Sequence, residues 1–368
     1  MKVIQILPAL NGGGVEKGTL EVADYLIKNG VESVVVSAGG KMVARLASSG
    51  TKHINMTIGN KSLLTFRHVL GLRKLILKEK PDVIDVRSRL PAWICKMALL
   101  TLKKRNRPKV VTTVHGFYSV NYYSRIMVTG DVVVAVSNAV KEYVVKNYKG
   151  IREDKIVVIH RGVDLKVYNK EYRPPSDWVD KWFEEYKEFY NKKLITLPGR
   201  LTRLKGHNDF VLLMKELKER DIDVKGFIVG EHDDKKKEYI EDLKKNIDKY
   251  DLVNDIIISN SREDIRNIYM MSDVILSLSS KPEAFGRTVA EGLSLGKQVY
   301  GYAHGGVKEI FDSCFPYGYI ESGNIEQLAD KVSEALDSPK PIAVMPFCRE
   351  RMLYETLKCY QQLIEEKI

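Results

Sequence analysis

The sequence predicts an α/β protein of two doubly wound domains, each a parallel sheet with helices on both faces. Three observations point to this fold class. Short β-branched runs alternate with helix-length segments, at residues 3–7, 33–37, 83–87, 110–115, 132–137 and 156–159. Several runs are apolar at consecutive positions, as strands covered on both faces are, whereas half-exposed strands alternate. The plan then restarts, with runs at residues 194–198, 226–230, 256–259, 274–278 and 299–302. A chain of 368 residues also exceeds what one typical core organises, so two domains are expected.

Between the two series lies 173–193, which opens on Pro174-Pro175 and continues as the charged aromatic stretch DWVDKWFEEYKEFYNKK. It reads as an interdomain helix whose rings pack on one domain. The tail, 346–368, has helical spacing at Met352, Leu357, Tyr360, Leu363 and Ile364 and reads as a docked terminal helix. The expected domains are therefore 1–172 and 194–345. MKVIQILPALNGGG reads as a first strand and glycine loop, not as a secretory signal. No run has the length of a membrane span; the nearest, 92–102, carries Lys96. Cys95, Cys314, Cys348 and Cys359 are scattered without CxxC spacing, which suits reduced thiols and a cytoplasmic setting.

The net charge of +11 is uneven. Residues 1–170 carry 29 Lys+Arg against 12 Asp+Glu, or +17, and the remainder carries 30 against 36, or −6. A basic first half suits an anionic partner: a membrane surface, an acidic acceptor or nucleic acid.

The densest chemistry lies at 282–296, PEAFGRTVAEGLSLG, where seven residues separate Glu283 from Glu291. A strand precedes this stretch and a helix follows from Gly286. Glu283 thus falls in the loop at the strand's carboxyl end and Glu291 inside the next helix. Backbone N–H groups of Gly286, Arg287 and Thr288 open that helix, where anions bind. Carboxylates accept paired hydrogen bonds from diols, so the stretch suits a sugar nucleotide. After the first strand of the second series, PGRLTRLKGH places Arg200 and Lys205 on one glycine-flanked loop. Two fixed cations there suit a diphosphate, whose charge grows as a sugar departs.

These features, with Gly305-Gly306, Glu309 and the string VIHRGVD at 158–164, resemble the retaining family-4 glycosyltransferases of the GT-B fold. That resemblance implies two Rossmann-like domains facing a cleft, the donor on the second and the acceptor on the first. It also implies a C-terminal helix that returns to the first domain, no cofactor and no metal. It assigns Glu291 to the ribose hydroxyls, Glu283 to hydroxyls of the transferred sugar, and Ala284, Phe285 and Gly286 to backbone contacts with sugar and phosphate. Arg200 and Lys205 would grip the diphosphate, and the base would meet backbone near Asn260 and Arg262.

In the first half, NGGGVEK at 11–17 fails as a dinucleotide fingerprint. The resemblance places this loop beside donor phosphate and acceptor, with Gly13 and Gly14 permitting close approach and Glu16 either structural or touching the acceptor. His115 ends a strand at the sheet edge where ligands collect, and the resemblance sets it against the transferred sugar. In DVRSRLPAW, at 85–93, Arg87 and Arg89 lie two residues apart beyond a buried strand and suit forked recognition of an anion. With the GGVEKGTLEVA and PGRLTRLKG strings, this stretch resembles lipopolysaccharide-core glycosyltransferases of alphaproteobacteria, whose acceptor is an acidic lipid-borne sugar. Residues 61–80 form a basic amphipathic pattern that suits a crossover helix better than a membrane anchor. KKRNRPK at 103–109 adds to the basic character of the half. Asp221-Ile-Asp223 and Asp233-Asp234 have the wrong setting for metal binding.

The expected function is retaining transfer of mannose or glucose, from a GDP-mannose or UDP-glucose type donor, to an anionic lipid-linked saccharide. The expected setting is the inner face of the cytoplasmic membrane, touched peripherally through the basic first domain. A nucleotide-sugar epimerase of the same fold is the enzymatic alternative, but no flanking acid–base pair supports it. Nucleic-acid binding rests on charge alone, without interleaved aromatic residues or a helix-turn-helix, and is not expected.

Overall fold

The computed structural model describes residues 1–231 and 237–365. The Asp233-Asp234 pair lies outside them. The chain forms two compact units, Met1–Arg161 with the C-terminal segment from Glu350, and Gly162–Arg349.

The first unit carries β1 (Lys2–Ile6), β2 (Glu32–Ser37), β3 (Lys52–Asn55), β4 (Val83–Val86), β5 (Lys109–Val114), β6 (Val132–Ala135) and β7 (Ile156–Val158). All pair in parallel, in the order β3-β2-β1-β4-β5-β6-β7. The second unit carries β8 (Lys193–Pro198), β9 (Val224–Val229), β10 (Ile256–Ser259), β11 (Val274–Ser277), β12 (Gln298–Tyr302) and β13 (Tyr319–Ile320). Its parallel order is β10-β9-β8-β11-β12-β13. Strand order therefore reverses beside β1 and β4 in one sheet, and beside β8 and β11 in the other. Within each sheet, the reversal at the carboxyl ends of its two strands is the position where such sheets bind ligands.

Apolar runs that do not alternate have the predicted cause: both sheet faces are covered. Along β9, Phe227 and Val229 join one buried cluster while Ile228 joins another. β3 and β13 escape the sequence pattern, whereas the other two edge strands, β7 and β10, carry apolar runs and show it. β3 is half-exposed, with the unpromising sequence KHIN, and β13 has only two residues.

The unit boundary falls at Arg161/Gly162, earlier than the expected 172/173. Residues after it are stitched into the second unit, where Val163 bridges Cys348 and Arg349 pairs with Asp164. The segment expected as an interdomain connection is likewise part of the second unit. Its helix Ser176–Glu185 buries Trp182, which meets Phe227 edge-on at 5.4 Å and packs with Tyr186 and Phe189. Each such ring contributes about 1.5–3 kcal/mol when fully buried.

The helix Arg349–Ile364 places Met352, Leu353, Leu357, Tyr360 and Leu363 against Val3, Val22 and Val134 of the first unit. Residues 61–80 split into a 3-10 turn, Leu63–Arg67, and a helix, His68–Glu79. Leu72, Leu75 and Ile76 anchor the helix, while Leu63 and Leu64 are 86% and 71% exposed. No helix among the described residues is long and apolar enough to cross a membrane.

Candidate functional site

In the second unit, the loop after β8 turns at Gly199 and Gly206, both at positive φ (158° and 73°). A Cβ on Gly206 would lie 2.1 Å from the Leu278 carbonyl oxygen, so glycine is required where this loop meets the end of β11. The 3-10 turn Arg203–Lys205 then presents Lys205. Its ammonium donates to Glu283 Oε1 at 2.5 Å and to Ser279 Oγ at 3.3 Å. Ser279 also donates its hydroxyl to the same Glu283 oxygen. Burial alone would raise the Glu283 pKa; Lys205 and the Ser279 hydroxyl reverse that and hold it below the usual range. His304 Nε2 lies 2.6 Å from the Ser279 carbonyl oxygen, which only accepts, so the imidazole donates there.

Backbone pairing fixes the Glu283 loop. Glu283 bridges Gly305, and its carbonyl accepts from Gly306 N–H at 2.8 Å. Gly305 and Gly306 are thus the seat of this loop: Cβ atoms there would fall 2.4 Å from Glu283 O and 2.5 Å from Phe285 Cα. Gly286, at φ 94°, begins the eight-residue helix Arg287–Ser294. Glu291 lies on its inner face, 7% exposed, and accepts from Arg287 Nε at 2.6 Å. Its charge adds to burial in raising the pKa of Tyr168 and Tyr269.

Arg200 is exposed and forms no ion pair with a described residue. It remains available to an anion on the loop that carries Lys205. Asn260 is exposed after β10. Arg262 is committed differently: it forks Asp264 at 2.8–3.0 Å, reaches Glu185 at 3.0 Å and stands 5.7 Å over the Trp182 ring. Its side chain ties the Ser176–Glu185 helix to the β10 loop and leaves only backbone for a ligand.

In the first unit, β1 leads through Gly12, at φ 146°, and Gly13 into the helix Gly14–Lys28. Gly13 caps this helix without a side-chain bond, and the Glu16 carboxylate folds back over it; a Cβ on Gly13 would lie 2.4 Å from Glu16 Oε2. A carboxylate is favourable at that positive helix end. The expected fork of Arg87 and Arg89 does not form. Arg87 is 5% exposed and turns inward to Asp85, with Nε and Nη2 at 2.9 and 2.8 Å from Oδ2. Thr113 and Tyr360 donate to Asp85 as well, at 2.9 and 2.8 Å. β4 ends at Val86, so the two-residue spacing that places Asp85 and Arg87 on one face does not extend to Arg89.

Arg89 opens the helix Arg89–Leu100 and lies 5.1 and 5.4 Å from the rings of Tyr118 and Tyr123. His115, just beyond β5, accepts at Nδ1 from Arg161 Nη2 at 2.9 Å, while Arg161 Nη1 donates to the Gly14 carbonyl at 3.1 Å. Burial first, then Arg161 and Arg87, lower the His115 pKa well below the ordinary imidazole value.

The sequence reading missed Asp85 as the partner of Arg87, and with it the contacts of Ser279, His304, Arg161 and Tyr360. The DxR spacing at a strand end was a usable signal for Asp85. For Tyr360, 275 residues from Asp85, no local signal existed.

Two doubly wound parallel sheets, with a carboxylate–cation cluster at the strand reversal of the second, define the class of a two-domain Rossmann-like α/β protein. Comparison with known proteins gives the family. The model for Glycosyltransferase Family 4 matches residues 12–167, and that for Glycosyl transferases group 1 matches residues 179–345. A glycosyltransferase structure from Rickettsia africae ESF-5 superposes with a TM-score of 0.84 at 32% identity, covering 100% of this chain and 99% of the other. Anabaena Alr3699/HepE, solved with UDP and glucose, gives a TM-score of 0.79 at 18% identity, covering 98% and 100%. Spore coat protein SA of Bacillus subtilis (strain 168) is 21% identical over 346 residues, 90% of this chain and 87% of that protein. The chain belongs to the GT-B glycosyltransferases, with a family-4 first half and a group 1 second half.

Proposed function

We propose that this glycosyltransferase transfers a hexose, with retention, from a nucleoside-diphosphate sugar to an anionic lipid-linked saccharide of the cell envelope, of the lipopolysaccharide-core kind. One observation carries the donor half: Lys205, Ser279 and Glu283 converge at the strand reversal of the second sheet, with Glu291 buried in the helix that follows. Lys205 and Arg200 take the diphosphate, whose growing charge they stabilise more in the transition state than in the ground state. The helix end at Gly286, Arg287 and Thr288 adds backbone N–H groups. Glu283 then exchanges its bond to Lys205 for sugar hydroxyls, and Glu291 accepts from the ribose. These cations do the work a metal does elsewhere, so no metal or other cofactor is invoked. The Anabaena structure with UDP and glucose supports a uridine donor with glucose; the motif resemblance supports guanosine with mannose.

The first unit takes the acceptor. Arg89 is a cation there that is not bound to a carboxylate among the described residues, and it stands among Tyr118 and Tyr123. Peripheral contact with the inner leaflet is supported by the +17 of residues 1–170 and by exposed Leu63, Leu64 and Leu70 beside Lys61 and Arg67. Aliphatic side chains next to cations are what an anionic leaflet binds.

The experiment is transfer of radiolabelled hexose from UDP-glucose and GDP-mannose to a lipid extract enriched in lipopolysaccharide precursors, with Glu291→Ala beside the wild type. Lipid-soluble label that requires Glu291 is expected. Isomerisation of the nucleotide sugar without transfer would overturn the reading in favour of an epimerase.

A further inference from the structure

Arg161 lies at the end of the first unit, in the VIHRGVD string, which by itself gives the residue no role at the sites above. Its guanidinium nevertheless joins two of them. Nη2 donates to His115 Nδ1 at 2.9 Å, and Nη1 donates to the Gly14 carbonyl, in the first turn of the Gly14–Lys28 helix, at 3.1 Å. The fit is specific. A Cβ on the buried Gly18, one turn further along, would lie 2.2 Å from Arg161 Nη1, so the missing side chain at Gly18 makes room for the guanidinium.

The chemistry of this contact decides the state of His115. Arginine has donors only and keeps its charge at any accessible pH. His115 Nδ1 must therefore accept, which places the proton of the neutral ring on Nε2. That second nitrogen is buried and has no hydrogen-bond partner among the described residues. A cavity of about 30 Å³, room for one water or hydroxyl, is lined by His115, Arg161, Arg87, Asp85, Thr113 and Tyr360. An unsatisfied buried N–H donor is costly, and an oxygen ligand recovers that cost.

We infer that Arg161 is a positioning residue: it locks His115 as an Nε2–H hydrogen-bond donor and pins the glycine loop to it. His115 then offers a proton to an oxygen of bound substrate, and neither ring nitrogen is available as a general base. This rests on the proposed contact of His115 with substrate, but the ring's state is measurable without any substrate. It also weighs against the epimerase alternative, which needs a proton acceptor beside the sugar.

The charged and titratable groups near the ring are Arg161, Arg87 with its partner Asp85, the Tyr118 hydroxyl, which accepts from the backbone N–H of His115 at 3.3 Å, and Tyr360. Of these, Arg161 contacts a ring nitrogen.

The test is ¹⁵N NMR of histidine-labelled full-length protein, with the His115 signal assigned by its loss in His115→Gln. In the wild type a single neutral tautomer with the proton on Nε2 is expected, persisting well below the ordinary imidazole value of about 6.5. Arg161→Gln should give mixed tautomers and raise the titration midpoint, and Arg161→Lys should restore much of the wild-type state. Gly18→Ala displaces the guanidinium without altering Arg161 and should reproduce Arg161→Gln.

For whichever of UDP-glucose and GDP-mannose turns over, Arg161→Gln should lower kcat on the order of tenfold, and almost nothing further in a His115→Gln background. A proton on Nδ1 in the wild type, or an unchanged tautomer and midpoint in both Arg161→Gln and Gly18→Ala, overturns the inference. So do equal kcat losses for Arg161→Gln with and without His115. Failure of both nucleotide sugars to bind would instead count against the donor reading and leave the NMR result to decide this one.

Discussion

The two units share a plan but use their strand reversals differently. In the second unit the groups at the reversal are charged, and three of them stand within reach of water: Arg200 is exposed, and Lys205 and Glu283 are partly so. In the first unit the equivalent position holds an inward-facing network, with Asp85 and Arg87 1% and 5% exposed and tied to Thr113 and Tyr360. A carboxylate–cation pair near the surface exchanges partners with a ligand at low cost. A buried pair does not, because breaking it strands a desolvated charge. The same residue types therefore suit ligand capture in one sheet and architecture in the other.

The largest effect should come from the second unit. Glu291→Ala or Lys205→Ala should reduce hexose transfer by roughly 10²–10³-fold, the scale of a lost transition-state contact, while circular dichroism stays native. Near-normal turnover in either variant would break the contrast. Next comes Asp85→Ala in the first unit. It leaves Arg87 unpaired and should cost about 3–5 kcal/mol of stability in urea denaturation, with activity lost in proportion to unfolding. Tyr360→Phe removes one bond to Asp85 and should cost about 1–2 kcal/mol, measured the same way.

The pH dependence of stability sharpens the comparison further. His115 in the first unit and His207 in the second, the latter lowered to about 4 chiefly by burial, stay neutral in the folded chain. The unfolded chain protonates its histidines near pH 6.5. Stability is therefore complete above about pH 7 and declines as pH falls through 6 toward 5. Glu283, whose pKa is held low, adds its loss only below about pH 4.5, where the unfolded carboxylate protonates. His115→Gln should flatten the first window and leave the second unchanged, as followed by Tm against pH. The smallest effect on stability belongs to Arg89→Ala. It should leave Tm within about two degrees, since no carboxylate is orphaned, yet raise the acceptor KM.

What was legible in the sequence follows the same division. Glu283, Gly286 and Glu291 lie on one strand–loop–helix segment, so local pattern alone placed them. Arg200 and Lys205 share a single glycine-bounded loop. The buried network draws on residues 85, 87, 113 and 360, and the His115 contact on 161, so its partners meet only after the fold forms. Arg87 and Arg89 looked equivalent by spacing, but the strand ends at Val86 and Arg89 already opens the next helix. Apolar runs gave eleven strands; β3, polar at both ends and half-exposed, and β13, two residues long, write no such run.

A donor site in the second unit requires that a nucleoside diphosphate bind the native chain. The direct measurement is calorimetric titration of wild type and Glu291→Ala with UDP, GDP, UDP-glucose and GDP-mannose. At least one should bind the wild type, raise its stability by about 2.7 kcal/mol at a hundredfold excess over Kd, and bind Glu291→Ala at least tenfold more weakly, about 1.4 kcal/mol. Absence of binding by all four, or equal affinity for both proteins, would contradict the assignment of Glu291 and with it the donor site.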